Sequence, residues 1–211
     1  MRTVAVFACA IIVIPMYVSR GLNDSIVWKT VPPSSNDSPK WTISANIETV
    51  SNLQEEMWRN LSATEKLDTL QVVANIERQY LGLPHELNVI ISQDEETTYA
   101  SYNDHTHLIE INIEYLDDRT AHEVLKSLCH ECYQSYQHRL CNVYSEMDPK
   151  YSELLVFSDV SQYSQEFANY IDGAHDQDGY YSQLCELRAR QYAQQSVEEY
   201  YSKINQYLPH R

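Results

Sequence analysis

From Thr120 to Tyr144 the chain reads TAHEVLKSLCHECYQSYQHRLCNVY, a stretch with neither glycine nor proline. Thr120 followed three residues later by Glu123 is a capping-box pattern, and the apolar spacing behind it predicts one long helix. At 100° per residue Leu125, Leu128, Cys129, Cys132, Tyr136 and Leu140 fall on one side of it. The opposite side carries Ser127, His130, Gln134 and Gln137, with His138 at its margin. A helix of that length is about 37 Å long. The rest of the domain must be laid along its apolar side.

A chain of 211 residues is long enough for one domain with a real core and a short appendage. Its formal charge of −15 argues against nucleic acid as a partner, because phosphate backbones need clustered Lys and Arg. Seventeen Tyr against four Gly point to a helix-rich fold with many amphipathic aromatic contacts, which suit helix packing first and peptide or saccharide surfaces second.

The N-terminus carries a targeting signal. After Arg2 the run Val4 to Val18 is uncharged and almost wholly apolar, and Ser19-Arg20-Gly21 ends it. That length fits a secretory h-region, and counted from Thr3 to Ser19 it just suffices as a membrane anchor. The expectation is export, with the domain extracellular or tethered outside a membrane through this segment. Cys9 lies within it, which leaves Cys129, Cys132, Cys141 and Cys185 for two disulfides or none. There is no second Cys-x-x-Cys to make a zinc ribbon.

The expected division is 1–21 as signal peptide or anchor, 22–45 as a polar, Pro-broken linker, and 46–211 as the folded domain. Asn23, Asn36 and Asn60 each open an Asn-x-Ser triplet, the glycosylation acceptor pattern. Helical stretches are expected over about 47–60 and 62–80, the second opened by the capping box Ser62-Ala63-Thr64-Glu65 and closed by Gly82 and Pro84. Strands are expected over Leu87–Ser92, Thr97–Asn103 and His107–Ile113, the last two joined by a hairpin turn. Two further helices follow, over about 150–172 and 180–208. The fold class is α+β: a helix-rich domain with a small, mainly antiparallel three-stranded sheet preceding the long helix.

Within that helix stands His130-Glu131-Cys132-Tyr133-Gln134. In the zinc-protease signature His-Glu-x-x-His, residues four apart share a helix face, so two imidazoles grip one metal and the Glu acts as general base. Here Gln134 stands in place of the second imidazole, and an amide oxygen is a weaker, harder ligand. In the last helix Glu186, Ala189 and Ala193 share a face, and the two small residues permit close approach with Glu186 at the contact.

The order of helices, small sheet, His-Glu helix and later Glu-x-x-Ala helix resembles the zincin metallopeptidases whose third ligand is Glu, including small bacterial antirepressor-type metallopeptidases. The resemblance covers about Leu87 to Ala193 and includes the strand pattern from Ala100 to Asn112. It implies peptide-bond hydrolysis, with His130 as a metal ligand, Glu131 as general base and Glu186 as the distant acidic ligand. Gln134 completes the implied metal set of His130, Gln134 and Glu186, for Zn2+. It also implies a peptide or protein substrate lying along the strand Leu108–Asn112. Two other readings stay open: an inactive binding module of the same fold, and a helical domain in which His130 and Glu131 are ordinary exposed residues. His138, eight residues from His130, is too far along the helix to replace the missing ligand. His105, His107, His122 and His175 are candidates from elsewhere, and Cys129 or Cys132 beside His130 is the remaining nucleophile arrangement.

Overall fold

The computed structural model describes residues 40–93 and 99–207. The apolar targeting segment and most of the expected linker lie outside the described residues.

The chain first makes single helical turns, at Ile47–Val50 and Glu55–Trp58, around an extended Gln54. The expected continuous helix over 47–60 is therefore broken. Trp58, Leu53 and Val50 are buried by this irregular path. Helix α1 (Ala63–Leu81) then begins at the expected capping box: Ser62 Oγ accepts the Glu65 N–H, and the Glu65 carboxylate accepts the Ser62 N–H at 2.8 Å. It ends at Gly82, whose φ of 68° is the left-handed conformation that costs a glycine little.

Strands β1 (Asn88–Ser92), β2 (Ala100–Asn103) and β3 (Leu108–Asn112) form one sheet in the order β1-β3-β2. β3 runs parallel to β1 and antiparallel to β2, so the sheet is mixed rather than mainly antiparallel. The physical reason is placement: β2 enters beyond the space next to β1, and the hairpin turn returns β3 into that gap. Val89, Ile109 and Ile111 bury the inner face. In the turn, Asn103 Oδ1 accepts the N–H groups of His105 and Thr106. His107 closes it at φ 55°.

The Asn112 side chain caps the short helix α2 (Ile113–Asp118). Thr120 and Glu123 form the expected capping box on α3 (Ala121–Ser145). This long helix is the centre of the fold: α1, β2, α4 (Ser158–Ala168) and α6 (Leu184–Tyr207) all pack on it. α6 packs on it most extensively, with Ala189, Ala193 and Ser196 fully buried. Between α4 and α6 lies the short α5 (Gln177–Ser182). The helix expected to start at Tyr180 is split at Gln183, whose ψ of 133° is extended.

The architecture is thus α+β and helix-rich, as the sequence pattern implies. The polar side of α3 is largely covered: Ser127, His130 and Gln134 are only partly exposed, and Gln137 is fully buried and donates to the Cys185 carbonyl at 2.9 Å. A buried amide is tolerated when it is hydrogen-bonded, and the covering α6 supplies that bond. Cys129, Cys132, Cys141 and Cys185 are all free thiols. Among the described residues no helix is long and apolar enough to cross a membrane.

Candidate functional site

α3 and α6 cross so that His130 and Glu186 meet. His130 Nε2 lies 3.2 Å from Glu186 Oε2, with the His130 side chain 13% exposed and that of Glu186 fully buried. Gln134, one turn beyond His130, donates its amide to Glu186 Oε1 at 2.7 Å and places the same nitrogen 3.1 Å from His130 Nε2. All three expected ligand positions therefore converge. The reading of His130 and Glu131 as ordinary exposed residues does not survive this geometry.

Tyr170, Tyr180 and Arg190, which sequence reasoning missed, complete the surroundings of Glu186. The Tyr170 hydroxyl donates to Oε1 at 2.6 Å, and Arg190 Nη1, one turn along α6, stands 3.7 Å from Oε2. Arg190 also lies over the rings of Tyr180 and Tyr181. The i,i+4 spacing of Glu186 and Arg190 was a usable signal. Tyr170 sits in an irregular segment and gave none.

The charges follow from burial and neighbours. Burial pushes the Glu186 carboxyl up, but the bonds from His130, Tyr170 and Tyr180 outweigh it and hold the group below the usual carboxylate range. Burial likewise pushes the His130 imidazole down, and the bond to Glu186 with the nearby Glu131 charge reverses this, leaving it above its ordinary value. Glu131, only 7% exposed, points toward the sheet and accepts the Tyr102 backbone N–H. Burial is the main reason its carboxyl is pushed up to about 7, with His130 pulling down and Glu186 pushing up. A base poised near neutrality is what proton-transfer chemistry at pH 7 needs.

No family model, curated protein or solved structure matches this chain. What the site can hold has to be argued from its own donors. Among the described residues no group of three or more His, Cys, Asp and Glu side chains is arranged for a metal ion. The set here is one imidazole, one carboxylate and one amide. Glu186 Oε2 is buried without an aligned hydrogen bond. His130 Nε2 stands 3.2 Å from that oxygen and 3.1 Å from the Gln134 amide nitrogen. A proton on the ring nitrogen, or a cation between it and the carboxylate, satisfies both groups. Donors at zinc bond lengths in a tetrahedral array are themselves roughly 3.3 Å apart. The spacing therefore fits a metal held by His130 and Glu186, with Gln134 able to present its oxygen only after an amide rotation.

Other expected candidates lie elsewhere. His138 pairs with Asp104 at 3.7 Å and stacks on Phe167, so it does not reach His130. His107 stacks on His85 and bonds the Tyr102 hydroxyl, and His122 stacks on Tyr201. His175 pairs with Asp172 on the surface, and His105 is exposed. Cys132 is no nucleophile, because burial pushes its thiol well above the ordinary range. Cys129 is fully buried. The expected cleft-edge strand Leu108–Asn112 is the middle of the sheet, with both of its sides already paired. The free edge next to α3 belongs to β2, where the Tyr99 carbonyl bonds the Asn112 N–H. Antiparallel alternation therefore turns the backbone groups of Ala100 and Tyr102 away from β3.

Proposed function

We propose that this chain is an exported or membrane-anchored zincin-like metallopeptidase that hydrolyses peptide bonds at the His130–Glu186 site. The observation that carries the reading is the 3.2 Å approach of His130 Nε2 to Glu186 Oε2, between helices far apart in sequence, with Glu131 adjacent to His130 on α3. His130 and Glu186 hold the metal, with Gln134 as a weak third donor. A bound zinc supplies Lewis acidity toward the substrate carbonyl and makes water more acidic. Glu131 takes the proton of the attacking water as the new C–O bond forms, and returns it to the amine as the C–N bond breaks. Tyr170 keeps Glu186 ionised and oriented. An extended peptide lies along β2, meeting the outward backbone groups of Ala100 and Tyr102 that Glu131 does not already use.

A second reading has its own support: a catalytically inactive binding module of the same architecture at the cell surface. The Gln134 amide already bridges His130 and Glu186, and Arg190 offers Glu186 a cation from the protein itself.

Zinc titration of the purified chain, with peptide-library cleavage, separates the two. Under the peptidase reading the parent binds zinc and cleaves, a chelator stops it, and Glu131→Gln abolishes cleavage while retaining zinc. A Gln134→His variant tightens zinc by about tenfold or more, the scale on which even outer-shell changes act. A chain that neither binds zinc nor cleaves favours the binding module. Unchanged zinc affinity in Gln134→His overturns the metal pocket.

A further inference from the structure

Glu186 belongs to the first turn of α6, where helix amides have no partner within the helix. Gln183, the residue before α6, does not cap them. Its amide instead accepts the Ile171 N–H and donates to the Ile171 carbonyl, each at 3.0 Å. The cap comes from another helix. Glu166 on α4 accepts the Leu184 N–H at 2.9 Å with one carboxylate oxygen and the Cys185 N–H at 2.8 Å with the other. Gln162 braces the first oxygen at 2.9 Å. A carboxylate on two helix-terminal amides is a charge-assisted contact that the helix dipole favours. Burial works against that charge, yet the amides win and hold Glu166 below the usual carboxylate range.

A serine or aspartate at position 183 would cap α6 locally. A cap from α4 has a different consequence. α4 packs on α3, the helix that carries His130, so the start of α6 is referenced to the same helix that its Glu186 must meet. The clasp on Ile171 does the equivalent for Tyr170, its neighbour in sequence.

We propose that Glu166 and Gln183 are positioning residues for the His130–Glu186 pair, Glu166 fixing where the first turn of α6 stands and Gln183 holding the Tyr170 phenol on Glu186. This rests on reading His130 and Glu186 as one site, but does not require that a metal binds there.

The test uses the metal-free full chain, with the ring 15N resonances of His130 read at one fixed pH and assigned through His130→Gln. Glu186→Gln marks the resonance position when the partner is lost. Glu166→Gln keeps shape but turns an NH2 toward one donor amide. Leu184→Pro removes one donor outright, at a first helical position that suits proline and after an extended residue that tolerates it. Both variants move the His130 signals toward the Glu186→Gln position, Leu184→Pro by less, while the His122 ring stays in place. Adding Glu166→Gln to Glu186→Gln moves them no further. Stationary His130 signals in a folded Glu166→Gln or Leu184→Pro chain overturn the proposal, and Leu184→Pro decides alone if Glu166→Gln fails to fold. Zinc added to the same samples separates the two claims: a loss of about tenfold in affinity for Glu166→Gln supports both. Shifted ring signals in the variants, with no zinc bound by the parent, keep the positioning role and remove the metal.

Discussion

His130 and Glu131 are neighbours on α3 with opposite tasks, and the difference comes from where each side chain points. His130 faces α6 and gains a carboxylate, whereas Glu131 faces the sheet and gains one backbone N–H in an otherwise dry setting. A carboxyl raised from 4.5 to about 7 binds its proton more tightly folded than unfolded. Its contribution is therefore full below the unfolded value and is lost as pH rises toward 7. The loss is on the order of 3 kcal/mol across that window. Glu186 has the opposite sign, being stabilising above the ordinary carboxylate range and failing only as pH drops below it. Glu131→Gln does not titrate and keeps an acceptor for the Tyr102 N–H. Urea unfolding at pH 5 and pH 8 checks the consequence: relative to the parent, the variant gains about 2 to 3 kcal/mol between the two, and a constant difference would show that Glu131 is not held protonated.

The site is an encounter of helices, so its precision is set by how closely they approach. Ala189 and Ala193 were legible as small residues on the Glu186 face, and both are fully buried on α6. Interiors at native density do not absorb extra methylenes without movement. Ala193→Leu is therefore expected to cost about 1–3 kcal/mol by thermal or urea unfolding. It also weakens zinc binding, by forcing apart the helices that carry His130 and Glu186. Retained stability with unaltered zinc affinity would show that the contact is looser than this packing implies. The helix starts were readable because caps are local: Ser62 with Glu65 and Thr120 with Glu123 form as their spacing implies. The start of α6 was not readable, because its cap, Glu166, belongs to α4 and comes close only after folding.

For the molecule as a whole, the expectation of export left two disulfides or none open, and the four cysteines of the domain are free, three of them buried. Cys129, Cys132 and Cys185 act as small apolar side chains in the core. A reductant should accordingly leave the melting temperature unchanged, with the half-buried Cys141 the only cysteine among the described residues accessible to a thiol reagent in the folded state. A fall in melting temperature on reduction would reveal a bridge. The sequence by itself determined whatever depends on near neighbours: the long central helix and its cap, the three strands, the α+β class, and the four-residue spacing that puts His130 and Gln134 on one face. Tertiary structure alone decided the rest. Which strand is the free edge depends on β3 entering between β1 and β2, and pattern does not encode strand order. The dryness of Glu131 and Gln137 depends on what covers them, and periodicity sees only the helix that carries a residue. The pairing of Glu186 with His130, and of Tyr170 with Glu186, spans long stretches of chain. Such contacts arise from the packing of whole elements, which no local spacing specifies.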